Sequence, residues 1–164
     1  GVGAFPDAME MLSKSGLTDT IREEAVKKPF LGICLGMQML FEESTEFRRT
    51  EGLGLLRGTV DWIRSPYKIP HMGWNTISRK QESPILKDVP ADAAFYFVHG
   101  YYVETAPEKV IATSCYGTEF CAVYGQDGLW AIQFHPEKSG RPGLKILSNF
   151  YEWCMARSAG GRVC

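Results

Sequence analysis

The sequence predicts an α/β fold with an open, mixed, mostly parallel sheet flanked by helices. Three observations carry that expectation. Pro29-Phe30-Leu31-Gly32-Ile33 is a short apolar run of the kind a buried parallel strand needs, with segments of helical period on either side of it. From residue 52 onward, short β-like runs alternate with turn residues. An amphipathic segment then precedes a Gly-rich tail. Helix, strand, sharp turn and helix in that order belong to an α/β sheet.

Residues 7–27 place Met9, Leu12, Leu17, Ile21 and Ala25 among polar neighbours at roughly helical spacing. Asp7 after Pro6 is a plausible start, and Gly16 splits the segment into two short helices. The strand at 29–33 runs straight into a helix from Leu35 to Glu42. Further strands are expected at 59–63, 74–77, 94–98, 101–104, 110–114, 122–124 and 129–134, with Gly125-Gln126-Asp127-Gly128 as a hairpin loop. A final helix over 143–156 spaces Leu144, Leu147, Phe150, Tyr151 and Cys154 three to four residues apart. No repeat, low-complexity tract or linker interrupts the chain, so one domain over 1–157 is expected, followed by a disordered tail at 158–164.

Bulk properties narrow the function classes. Charged residues make up 23% of the chain and hydrophobic ones 45%, the balance of a soluble globular protein. With 18 Lys and Arg against 19 Asp and Glu, nothing draws the chain to nucleic acid or to an anionic membrane. No apolar run is long enough to cross a bilayer. The cysteines at 34, 115, 121, 154 and 164 are odd in number and lack metal-type spacing, which predicts reduced thiols, a cytoplasmic setting and no metal.

The chemistry concentrates at Cys34. Gly32-Ile33-Cys34-Leu35-Gly36 has the glycine-x-nucleophile-x-glycine form of a nucleophile elbow. A nucleophile on so tight a strand-to-helix turn sits in strained backbone, and side chains at the flanking positions are expected to clash with neighbouring elements. The helix N-terminus favours thiolate over thiol, and the Leu35 N–H points where an oxyanion develops. A base is offered by Gln133-Phe134-His135-Pro136-Glu137, where His135 follows an apolar strand. Glu137 can accept from the imidazole and fix its tautomer, leaving the other nitrogen for Cys34. The opening Gly1-Val2-Gly3 offers further backbone amides to an oxyanion. Read alone, the elbow favours a functional Cys34 over a buried core cysteine, whereas His135 on its own would read as a loop histidine.

Gly32-Ile33-Cys34-Leu35-Gly36-Met37-Gln38 and His135-Pro136-Glu137 resemble the two catalytic motifs of class I glutamine amidotransferases. Pro70-His71-Met72-Gly73-Trp74-Asn75, Phe95-Tyr96-Phe97-Val98-His99 and Gly52-Leu53-Gly54-Leu55-Leu56 are similar to stretches of the glutaminase subunits of imidazole glycerol phosphate synthase, in histidine biosynthesis. The resemblance runs from Gly1 to about Trp153. It implies the class I amidotransferase fold and a glutaminase in which Cys34 attacks the amide of L-glutamine, His135 moves protons and Glu137 orients it. Val2, Gly3 and Leu35 would supply oxyanion amides. Gln38, Glu46, Gly100 and Tyr101 would hold the amino-acid end. Ammonia would pass to a (β/α)8-barrel cyclase partner across Trp74, Tyr96 and Lys138. No cofactor is implied.

Three departures accompany the resemblance. The family's opening strand, helix and second strand have no counterpart, which predicts a partial sequence or a piece supplied by another chain, since a lost central strand leaves edge groups unpaired. Gly100 stands where the family has Ser or Thr, so a hydroxyl contact to glutamine is expected to be lost. The tail after Ala156 has no counterpart. Two alternatives stay open: another class I amidotransferase, serving aminodeoxychorismate, anthranilate or guanylate synthesis, and a truncated, non-catalytic binding subunit.

Overall fold

The computed structural model describes residues 3–126 and 128–160. Helix α1 covers Phe5–Ser15 and α2 covers Thr18–Ala25. Gly16 ends α1 in the left-handed region (φ 73°) and sends its N–H to the Ser13 carbonyl, so the expected split falls on the expected residue. Strand β1 (Phe30–Ile33) leads directly into α3 (Leu35–Met39). Then follow β2 (Glu43–Ser44), β3 (Thr50–Glu51), β4 (Thr59–Trp62), β5 (His71–Thr76), β6 (Ser78–Arg79), β7 (Ala94–His99), β8 (Tyr101–Glu104), β9 (Val110–Cys115), β10 (Glu119–Gln126) and β11 (Leu129–Ile132), before α4 (Gly140–Gly160).

The strands form open, mixed sheets with helices packed on them. The largest has the order β1-β11-β10-β9-β6, beside a four-stranded sheet β3-β2-β4-β8 and the pair β5-β7. Among the described strands, β1 runs parallel to β11 and β2 to β4, and the other pairings are antiparallel. A β10–β11 hairpin forms, but Gly125 and Gln126, expected in its loop, belong to β10 and pair with Trp130 and Leu129; Asp127 lies outside the described residues.

Strand β11 explains why its sequence is apolar without alternation. Leu129 and Ala131 pack with Phe5, Leu35, Met37 and Phe41 on one face, while Trp130 and Ile132 pack with Phe95, Phe97, Phe134 and Ile146 on the other. A strand covered on both faces has no side that needs to be polar.

Several expectations change. Helix α3 stops at Met39 instead of reaching Glu42, because the next carbonyls are taken by distant amides: Leu40 accepts from Leu55 and Leu56, and Phe41 from Gly54. The short strands β2, β3 and β6 carry too little apolar pattern to be legible. The last helix begins at Gly140 and passes Ala156 to end at Gly160; residues 161–164 lie outside the described residues. Its buried face uses Ile146 and Asn149, with Phe150 and Trp153 partly buried, whereas Leu144 and Tyr151 are exposed. No helix among the described residues is long and apolar enough to cross a membrane.

Candidate active site

Strand β1 delivers Cys34 to the sheet edge in a conformation few residues adopt, φ 53° and ψ −112°. Such a backbone costs on the order of 1–3 kcal/mol and persists only when its surroundings impose it. Here the Cys34 N–H donates to the Ile132 carbonyl (2.7 Å), tying the turn to β11, and the Cys34 carbonyl accepts the first helical bond from Gln38 (3.2 Å). A Cβ at Gly32 would lie 2.7 Å from both the Gly36 carbonyl oxygen and Leu40 Cδ1, so this glycine is required by close approach. The same expectation is not met at Gly36, where a Cβ would have nothing within 4 Å.

Because β1 and β11 are parallel neighbours, with Ile33 opposite Ile132, the residues after β11 emerge at the same edge as Cys34. His135 is buried, and its N–H donates to the Tyr96 carbonyl (2.9 Å). Ser139 clamps the loop: its hydroxyl donates to the His135 carbonyl (2.6 Å) and accepts from the Tyr96 N–H (2.9 Å). His135 Nδ1 lies 2.6 Å from Glu137 Oε1. A carboxylate can only accept, so Nδ1 carries the proton and Nε2 is left basic. Nε2 is buried and has no hydrogen-bond partner among the described residues. The Cys34 thiol instead donates to the Val98 carbonyl (3.9 Å) and accepts from Gln133 Nε2 (3.8 Å).

The expected preference for thiolate is reversed. Burial pushes the Cys34 thiol above its ordinary value of 9.0, and the Leu35 N–H, acting the other way, does not compensate. A helix of only five residues brings little dipole. Alkylation of Cys34 by iodoacetamide, followed by mass spectrometry, should therefore keep accelerating with pH beyond about 9, since thiolate is the reacting form. A rate already level at pH 8 would contradict the assignment.

A cavity of about 250 Å³ opens at Cys34. Of the residues expected there, Gly3, Leu35, Gln38, Glu46, Gly100 and Tyr101 line it with Cys34; Val2 lies outside the described residues. Pro70, Val98 and His99 complete the lining and were not anticipated. The Gln38 amide donates both to the Tyr101 carbonyl (3.1 Å) and to Gln133 Oε1 (3.1 Å), and its own oxygen accepts nothing among the described residues. One oxygen of Glu46 accepts from the Phe5 N–H (2.8 Å) at the start of α1. A larger cavity, about 460 Å³ beside Tyr102, Thr113 and Cys121, holds none of these groups, so size does not locate the chemistry.

Trp74, Tyr96 and Lys138 stand apart from this cavity. Trp74 is 60% exposed and pairs across β5–β7 with Tyr96, their rings 6.0 Å apart, and Lys138 is exposed beside Glu137. Among the described residues no cluster of three or more His, Cys, Asp or Glu could hold a metal.

Gln133 and Ser139, which sequence reasoning passed over, are as closely engaged as the named residues. Gln133 had a signal in its place two residues before His135; Ser139 had none.

The family described as Glutamine amidotransferase class-I matches residues 6–153. The chain belongs to that family. It is 46% identical to the imidazole glycerol phosphate synthase subunit HisH of Maridesulfovibrio salexigens, over 94% of this chain and 76% of that protein. With the subunit of the same name from Desulfitobacterium hafniense (strain DSM 10664 / DCB-2) the identity is 49%, over 93% of this chain and 74% of that protein. A putative GMP synthase subunit from Thermoplasma acidophilum superposes with a TM-score of 0.65 at 18% identity, over 92% of this chain and 70% of that one, which speaks for the fold alone. A further solved glutamine amidotransferase gives 0.66 at 17% identity, over 91% of this chain and 76% of that one.

Proposed function

We propose that the chain is the glutaminase subunit of an imidazole glycerol phosphate synthase, releasing ammonia from L-glutamine for a (β/α)8-barrel cyclase partner in cytoplasmic histidine biosynthesis. One observation carries the reading: a strained Cys34 opens on a small cavity, and β11, the parallel neighbour of the strand that delivers it, leads into a buried histidine whose tautomer Glu137 sets.

In this reading the Cys34 sulfur attacks the side-chain amide carbon of glutamine, and its proton passes to His135 Nε2. The oxyanion that forms takes the N–H groups of Leu35, Gly3 and Val2. Collapse expels ammonia with the proton returned by His135, leaving a glutamyl thioester. Water, deprotonated by the same nitrogen, then frees glutamate and restores the thiol. Glu137 accepts from Nδ1–H throughout and steadies the imidazolium. Gln38 presents its amide oxygen to the ammonium group of glutamine, with Glu46 beside it and the Gly100–Tyr101 backbone toward the carboxylate. Trp74, Tyr96 and Lys138 are assigned to the partner surface, and the domain to residues 1–157.

The test is ammonia release from glutamine by the purified chain with and without the cyclase subunit. Release that depends on Cys34 and rises with the partner is the expected result. No release from a folded, partner-bound chain would sink the reading.

Gly100 offers a second check. It lines the cavity, its φ lies outside the left-handed region, and an added Cβ would meet nothing closer than Ile69 Cγ2 and Trp62 Cζ3, both at 3.4 Å. Gly100→Ser should therefore fold and lower KM for glutamine by roughly threefold to tenfold, the worth of one net hydrogen bond. An unchanged or higher KM would place the amino-acid end of glutamine elsewhere.

A further inference from the structure

From the cavity lining at His99 and Tyr101, a chain of hydrogen bonds runs to Asn75, and its proton positions are all determined by its two ends. At one end, His99 Nδ1 is 2.8 Å from the Tyr101 carbonyl, which can only accept, so Nδ1 carries a proton. At the other end, Asn75 Nδ2 donates to the Cys115 carbonyl (2.8 Å) while Asn75 Oδ1 accepts the Thr76 N–H (2.9 Å), which settles the orientation of that amide. The same Nδ2 lies 3.5 Å from His71 Nε2, which must therefore accept. Between them, His71 Nδ1 and His99 Nε2 are 3.2 Å apart. With Nε2 of His71 accepting, its Nδ1 donates, and His99 Nε2 receives. An extra proton on either ring would set two donors against each other. The rings are 3% and 5% exposed and lie against Phe97, Tyr116 and Phe120, which offer no acceptor for such a proton. Burial acts in the same direction, lowering His71 and bringing His99 down to about 3.

The consequence reaches the cavity through Tyr101. Its carbonyl receives His99 Nδ1–H and Gln38 Nε2–H together, which uses both lone pairs. The Gly100 carbonyl is likewise held, by the Ile63 N–H (3.0 Å). Gln38 is thereby kept with its amide hydrogens on Tyr101 and Gln133, which leaves its oxygen without a protein donor among the described residues.

We propose that His71 and His99 form a neutral positioning pair, whose single allowed proton arrangement holds the Tyr101 carbonyl and so presents the Gln38 amide oxygen to the ammonium group of glutamine. This rests on the reading above that the cavity takes glutamine. The pair touches no reacting atom. It acts on substrate affinity.

Asparagine and glutamine separate this role from packing. His99→Asn places an amide nitrogen where Nδ1 stood and can still donate to Tyr101. His99→Gln places its nitrogen where Nε2 stood and cannot reach that carbonyl. With the cyclase subunit present, His99→Gln should raise KM for glutamine on the order of tenfold, the loss falling on KM more than on kcat, and His99→Asn should recover most of that loss. At His71, Asn should likewise outperform Gln, because only Asn can donate toward His99 Nε2. Calorimetric glutamine binding in a Cys34→Ala background should follow the same order. Equal effects of Asn and Gln, or a loss confined to kcat, would overturn the proposal. A second readout needs no activity: nitrogen-15 spectra of the unsubstituted chain should show His99 as the neutral Nδ1–H tautomer down to about pH 5. An Nε2–H tautomer or an imidazolium signal there would overturn it even if the chain proved not to be a glutaminase, whereas an inactive chain with the expected spectrum would count against the glutaminase reading alone.

Discussion

Cys34→Ala should lower glutamine hydrolysis by roughly 10⁴-fold or more, since the remaining groups can orient substrate and stabilise an oxyanion but provide no nucleophile. The substitution keeps a Cβ at φ 53° and ψ −112°, so the strain of the elbow remains. Cys34→Gly should be equally inactive yet more stable than Cys34→Ala by about 1–2 kcal/mol, because glycine relieves that backbone at a smaller entropic cost. Urea unfolding of the two variants measures the difference, and ammonia release measures the activity. If alanine and glycine unfolded together, the turn would not be strained. If Cys34→Ala kept even one hundredth of the activity, another group would be the nucleophile.

Gly143→Ala should be the most damaging single-methyl change at the site. A Cβ at Gly143 would lie 1.9 Å from the carbonyl oxygen of Pro136, which is backbone and cannot swing aside. The first turn of α4 would have to retreat from the turn at Pro136–Lys138, and that turn carries Glu137 and follows His135. We expect a loss of about 3 kcal/mol in unfolding free energy, at the upper end for overpacking. Hydrolysis by the molecules that remain folded should fall about 100-fold, as the imidazole shifts against the thiol. Gly36→Ala is the control. With no atom within 4 Å and a place inside α3, it should be neutral or stabilise by up to about 1 kcal/mol. A Gly143→Ala variant with unchanged unfolding would mean that the loop after β11 is not held where the structure puts it.

Local pattern was enough for much of this. The apolar run of β1 followed at once by Cys34, the break at Gly16, the hairpin between β10 and β11 and the position of His135 after β11 all depend on residues close together in the chain, and each was legible. So was the pairing of Cys34 with His135 and Glu137 as candidates, because both motifs concentrate unusual residue types within a few positions. The residues missed share a different property. Ser139, Gln133, Val98 and the His71–His99 pair are ordinary by composition, and they matter through partners many positions away.

The early end of α3 has the same origin, since Leu55 and Leu56 compete for the Leu40 carbonyl from a distance that no helical periodicity registers. The thiol is a further case. Sequence reading weighed the helix terminus and expected a lowered pKa, while the folded environment removed water from the sulfur and moved it up.

By itself, then, the sequence determined most of the longer elements, the candidate nucleophile and base and the family to which they belong, because a strained turn and a basic loop demand particular residues at short spacing. Tertiary structure alone decided which way the Cys34 thiol faces, which tautomers the buried histidines hold and which carbonyls orient Gln38. Those depend on hydrogen bonds that close only when strands distant in the chain are packed and dehydrated together, and a one-dimensional pattern carries no record of them.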